Sequence, residues 1–134
     1  MIACLVVAAS LLIAFWVAWW ADRRLVASRS SPSYYQFEEA FALADAWLLV
    51  TVVAAALALW RRWPSALVWL LAAGGAGLYL LGMDVLYDLR HGIYTSGRGG
   101  AIELCINVLT ACASIGVLWW SWRNRRSIMA DSAR

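Results

Sequence analysis

An all-α bundle of four transmembrane helices, a small polytopic integral membrane protein, is the fold this sequence predicts. Three observations predict it. Hydrophobic residues make up 64% of the 134 and charged residues only 14%, against about 45–50% and about 25% in soluble domains. The apolar residues fall into four long blocks, each near the roughly 20 residues that cross a bilayer. Tryptophan and arginine gather at the ends of those blocks, as they do at membrane–water interfaces. A chain of this length is expected to form a single membrane domain, residues 1–134.

The first helix is expected over about 1–21. No arginine precedes Asp22, and the run ends in Trp16, Trp19 and Trp20. It therefore reads as a retained, tryptophan-anchored helix and not as a signal peptide. Residues 22–36 form the longest connection. Arg23, Arg24 and Arg29 punctuate it, Ser30-Ser31-Pro32-Ser33 marks a turn, and Tyr34 and Tyr35 read as the next interfacial belt. The second helix is expected over about 37–60. Glu38 and Glu39 suit the positive end of its dipole, and Asp45 lies deeper on the stripe of Glu38 and Ala42. Arg61-Arg62-Trp63-Pro64 makes a turn, with Pro64 suited to open the third helix, about 64–91. Ala73-Gly74-Gly75-Ala76-Gly77 lets another backbone approach, and Gly92 fits a left-handed cap. Residues 93–100 read as a flexible loop. The fourth helix is expected over about 101–122, followed by a mobile basic tail, 123–134.

Charge placement supplies the functional reading. Asp84, Asp88 and His91 recur at spacings of four and three, so they share a helical face. Glu103, Asn107, Thr110, Ser114 and Ser121 form a single stripe on the fourth helix, the face that turns from lipid and can line a water path. Up-and-down topology then brings six of the eight acidic residues to one half of the bilayer. Asp45 is the hardest to place, because a charge at mid-span costs roughly 2.5–3.5 kcal/mol. Asp84, Asn107, Tyr87 or a shared proton are its expected partners. The ordinary alternative is that Asp88 and His91 sit in interfacial water, with Asp84 deeper, and that Glu103 serves its own helix dipole.

The expected cavity therefore comprises Asp45, Asp84, Asp88, Glu103 and Asn107, with Tyr87, His91 and Glu38 beside them. It would bind or transport a cation, a proton or a basic small molecule. Two further expectations compete with it. One is a membrane-embedded enzyme using the carboxylates of Asp84 and Glu103 on a lipid-like substrate; the other is an accessory subunit whose polar stripe docks to a larger complex. The expected partners are membrane lipids, with a homodimer or a larger membrane complex.

Other classes are excluded. All eleven basic residues are arginine, spread over four segments with a net charge of +3, and no basic stripe for nucleic acid results. No cofactor is expected. His91 is the single histidine, which rules out bis-histidine haem within one chain, and no lysine exists for a Schiff base. No nucleotide loop, nucleophile elbow or zincin motif occurs. Cys4, Cys105 and Cys112 lie inside apolar runs, without a CxxC pair, and read as buried, inert packing residues. The expected location is a bacterial inner (plasma) membrane. Both termini are placed on the cytoplasmic side by six arginines against five.

Overall fold

The computed structural model describes residues 1–27 and 30–131. Arg29 and Arg134, which enter the sidedness count, lie outside the described residues. Four α-helices account for most of the chain: α1 (Ile2–Asp22), α2 (Pro32–Trp60), α3 (Ala66–His91) and α4 (Arg98–Asp131). Short 3₁₀ turns at Arg23–Leu25 and Ile93–Thr95 lie in the connections, and no strand occurs among the described residues. All four helices are long and apolar enough to cross a membrane.

Boundaries differ from expectation in three helices; α4 opens at Arg98 and not near 101, so residues 98–100, expected in a flexible loop, are helical. α2 begins at Pro32 and not near 37, because Ser31 caps it, its hydroxyl accepting from the Tyr34 amide, and proline is favoured in the first turn. This winds Tyr34 into the helix. α3 begins at Ala66, after a turn around Pro64 in which the Ala66 amide reaches the Trp63 carbonyl. α4 does not end at 122. It continues through Asp131, and at about 1.5 Å per residue it is about 51 Å long, well beyond the ~30 Å hydrocarbon thickness. Arg125 bonds the Trp122 carbonyl and lies over its ring, and Asn124 bonds the Trp120 carbonyl, so residues expected as a tail belong to the helix.

Two helix ends use the left-handed region. Gly92 closes α3 at φ 61°, as expected. Arg62, at φ 54°, closes α2 in the position glycine usually holds. The Trp63 amide there bonds the Ala58 carbonyl and the Arg62 amide bonds the Leu59 carbonyl, the paired bonds of a Schellman motif.

Packing follows chain order, α1 on α2, α2 on α3 and α3 on α4, the last pair being the most extensive. The interior divides into two ends. Leu5, Ala9, Val52, Ala55, Leu70 and Ala73 pack one end, with Val117, Trp120 and Ile128 against them. Trp19, Tyr34 and Ile93 pack the other, with Tyr35 and Tyr87 beside them. The start of each odd helix thus meets the end of each even one, which is antiparallel stacking. The small residues of α3 do admit a neighbour. A side chain on Gly77 would strike the Ser114 hydroxyl, and one on Gly74 would come within 2.6 Å of Leu118.

All three cysteines are exposed, on the outward faces of α1 and α4, so the expected burial is corrected. Trp47 is 56% exposed, whereas Trp69 packs against the apolar core.

Gly100 marks the tightest seat in the fold. A Cβ there would meet the Ile93 carbonyl and the Tyr94 backbone, so the 93–95 turn rests directly on the first turn of α4. Gly100→Ala is expected to destabilise the protein by about 1–3 kcal/mol, read as a lowered Tm in detergent. Gly75→Ala, which meets nothing within 4 Å, should cost nothing and gain up to about 1 kcal/mol from helix propensity. Equal Tm values for the two variants would contradict this seating.

Candidate functional site

At the aromatic end of the bundle the acids converge. Carboxylate oxygens of Asp84, Asp88 and Glu103 all lie within 4.8 Å of one another. Asp84 and Asp88 are one turn apart on α3, and Glu103 comes from α4 across the most extensive helix pair. Asp88 is 1% exposed and Glu103 7%, while Asp84 is half-buried. Asp88, which the ordinary alternative put in interfacial water, is thus more buried than Asp84.

Neutral hydrogen-bond donors and one further acid surround the cluster. Asn107, 4% exposed, donates from Nδ2 to Asp88 Oδ2 at 3.0 Å and to the Tyr94 hydroxyl oxygen at 2.8 Å. The Tyr94 hydroxyl also lies beside the Asp88 carboxylate. Burial first, and the Asp88 charge next, push that phenol above its ordinary value, so Tyr94 stays protonated and able to donate. From α2, the Tyr34 hydroxyl donates to Glu103 Oε1 at 2.9 Å, and the Glu38 carboxylate lies beside the same hydroxyl. Three helices and one turn thus contribute to a single polar assembly.

Glu39, read only as a helix-start acid, and the remaining expected members, His91, Tyr87 and Asp45, fall outside it. Glu39 turns away and pairs with Arg23 at 3.3 Å, both exposed, a contact worth about 0–1 kcal/mol. His91 is exposed, its Nδ1 held 2.9 Å from the Tyr87 carbonyl. Its ring stacks on Tyr87 with centroids 4.0 Å apart, so it is not among the clustered ligand atoms. Tyr87 is sandwiched between His91 and Phe37, whose centroid is 3.5 Å away, and packs the wall of the site. Asp45 does not use Asp84, Asn107 or Tyr87. Trp16 Nε1 donates to Asp45 Oδ2 at 3.0 Å, which ties Asp45 to α1.

The stripe on α4 divides in two. Its upper half, Glu103 and Asn107, is the site. Its lower half is close packing and not a water path: Ser114 meets Gly77, and the Ser121 hydroxyl bonds the Val117 carbonyl at 2.6 Å. A hydroxyl that satisfies itself on its own helix can be buried without a partner on another.

Sequence reasoning missed Tyr34, Tyr94 and Trp16. For Tyr34 a signal existed, since reading Ser31-Pro32 as a cap and first helical residue places Tyr34, Glu38 and Asp45 on one stripe. Tyr94 lies in a turn and Trp16 in a belt of similar tryptophans, so neither carried a periodic signal.

Asn107→Ala leaves the buried Asp88 carboxylate without its amide donor. The expected cost is about 1–3 kcal/mol, read as lowered Tm, and Asn107→Ala combined with Asp88→Asn should cost less than the sum of the single changes. Strict additivity would show that the two side chains do not interact.

No family model, no curated protein and no solved structure matches this chain.

Proposed function

We propose that this is a cation-binding membrane protein whose site is the Asp84, Asp88 and Glu103 carboxylates. The supporting observation is the approach of three carboxylates, from two helices, to within 4.8 Å where water is largely excluded. Like charges so placed must be offset by a proton or a metal ion. The hydrogen-bond donors described around them, Asn107, Tyr34 and Tyr94, orient the oxygens without adding charge. All-oxygen donor sets suit hard divalent ions such as Mg²⁺, Ca²⁺ and Mn²⁺. Tyr34 and Glu38 reach the site from α2, so a bound ion would tie three helices together.

In this reading the chain is inserted in a cell membrane, with the carboxylate end in one leaflet. The six arginines against five favour both termini on the cytoplasmic side. Transport would extend the same site, and would call for a second copy of so small a chain to enclose a path.

The test is thermal unfolding of the purified protein with Mg²⁺, Ca²⁺, Mn²⁺ and Zn²⁺ in turn. An ion at about one hundred times its Kd adds about 2.7 kcal/mol, a rise in Tm of roughly 10 °C for a chain of this length. Asp88→Asn should abolish that rise. No rise with any of the four ions would remove the metal reading. Proton release that tracks unfolding near neutral pH and disappears in Asp88→Asn would then assign the cluster to a shared proton. Flux of the stabilising ion into liposomes, lost in the same variant, would establish transport.

A further inference from the structure

A second polar group lies apart from the carboxylate cluster. An open groove of about 640 Å³ runs between α1 and α2, walled by Leu12, Ile13, Trp20 and Leu49, with Trp16 and Asp45 set into it. Its volume falls within the roughly 300–1,000 Å³ of small-molecule sites. Asp45 is the one ionisable residue among those that line it. Trp16 Nε1, at 3.0 Å from Oδ2, is its hydrogen-bond partner among the described residues, which leaves the second carboxylate oxygen for a guest. The Trp16 and Trp20 rings stand side by side, centroids 6.3 Å apart.

We propose that this groove binds a lipophilic primary or secondary ammonium compound, an amine carried on an aromatic or aliphatic body. Charge complementarity selects that occupant. A lone carboxylate in apolar walls attracts a cation more strongly than it would in water, and tryptophan faces attract an ammonium further. An ammonium N–H can donate to the uncommitted oxygen, while Leu12, Ile13 and Leu49 hold the apolar body. A metal ion finds too few oxygens here. A neutral lipid chain would suit the walls but leave the carboxylate unserved. The groove lies between two helices long and apolar enough to cross a membrane, so such a compound would enter from the apolar phase.

The experiment uses the full chain in nanodiscs of zwitterionic lipid, with empty nanodiscs as the baseline. The probes are 1-naphthylmethylamine and its neutral counterpart 1-naphthylmethanol, followed by equilibrium dialysis. The amine should bind saturably above the baseline and more tightly than the alcohol. Asp45→Asn retains an oxygen for Trp16 but removes the charge, and should weaken the amine by about tenfold or more, the scale of one charge-assisted hydrogen bond. Alcohol binding should change by less than about twofold. Ala46→Phe, which fills the groove, should weaken both probes. Amine binding that survives Asp45→Asn within about twofold, that ignores Ala46→Phe, or that never exceeds alcohol binding overturns the proposal. None of these outcomes depends on the cluster of α3 and α4.

Discussion

Asp88 is drawn into the bundle until 1% of its surface is exposed, and the surrounding architecture answers the cost of that burial. A carboxylate removed from water loses several kcal/mol of hydration unless protein groups replace it. Asn107 provides one hydrogen bond, and the same amide holds Tyr94 in place beside the charge. Tyr94 can do so because the 93–95 turn is pressed against Gly100, where no side chain fits. Gly92 lets α3 stop abruptly enough for that turn to double back. The last turn of α3, the connection and the first turns of α4 therefore form one unit, whose common purpose is to solvate an acid without water.

The other end of the molecule makes this affordable in structural terms. Ala55, Ala58, Leu70 and Ala73 are almost fully buried there, with no charged residue among the core. Small residues allow close backbone approach, and dispersion contacts then hold the helices together. Thr51 and Ser121 sit inside the bundle with their hydroxyls bonded to their own helices. They ask nothing of neighbouring helices. One end thus supplies packing while the other carries polar groups whose interactions are individually worth about 0.6 kcal/mol on average in membrane helices.

The parts of this arrangement legible in the sequence were those with a period. The stripe from Glu103 to Ser121 was readable because its spacings repeat with the helix, and burial of Glu103, Asn107, Ser114 and Ser121 follows it. The four apolar blocks and the Gly92 cap were readable from composition and from backbone chemistry. The convergence of Asp84, Asp88 and Glu103 followed from counting spans. What was not legible depends on rotation and tilt. Whether Asp84 or Asp88 is sealed depends on how α3 meets α4, and one turn of helix does not reveal this. Asp45 found Trp16 instead of another acid because an indole can donate within an apolar layer, and ten tryptophans gave no means of choosing among them. The extension of α4 past 122 was obscured by its arginines, which read as solvent-facing whether the backbone is helical or not.

The Trp16–Asp45 bond has a further consequence for how α1 belongs to the fold. α1 packs on α2 alone among the extensive helix pairs, and many of its side chains face outward, Val7, Leu11 and Val17 at 58%, 65% and 63% exposure. At one end it is held by Leu5 and Ala9 in the apolar core, and at the other by Trp19 against Tyr34 and Ile93. Between these anchors the described polar tie to α2 is the single indole–carboxylate bond. A hydrogen bond in an apolar layer resists exchange for water, because no water competes there. The Trp16–Asp45 bond uses one carboxylate oxygen and leaves the other for the proposed guest ammonium. Asp45 therefore joins α1 to the groove beside it, while Asp88 is held among Asn107, Tyr94 and the 93–95 turn.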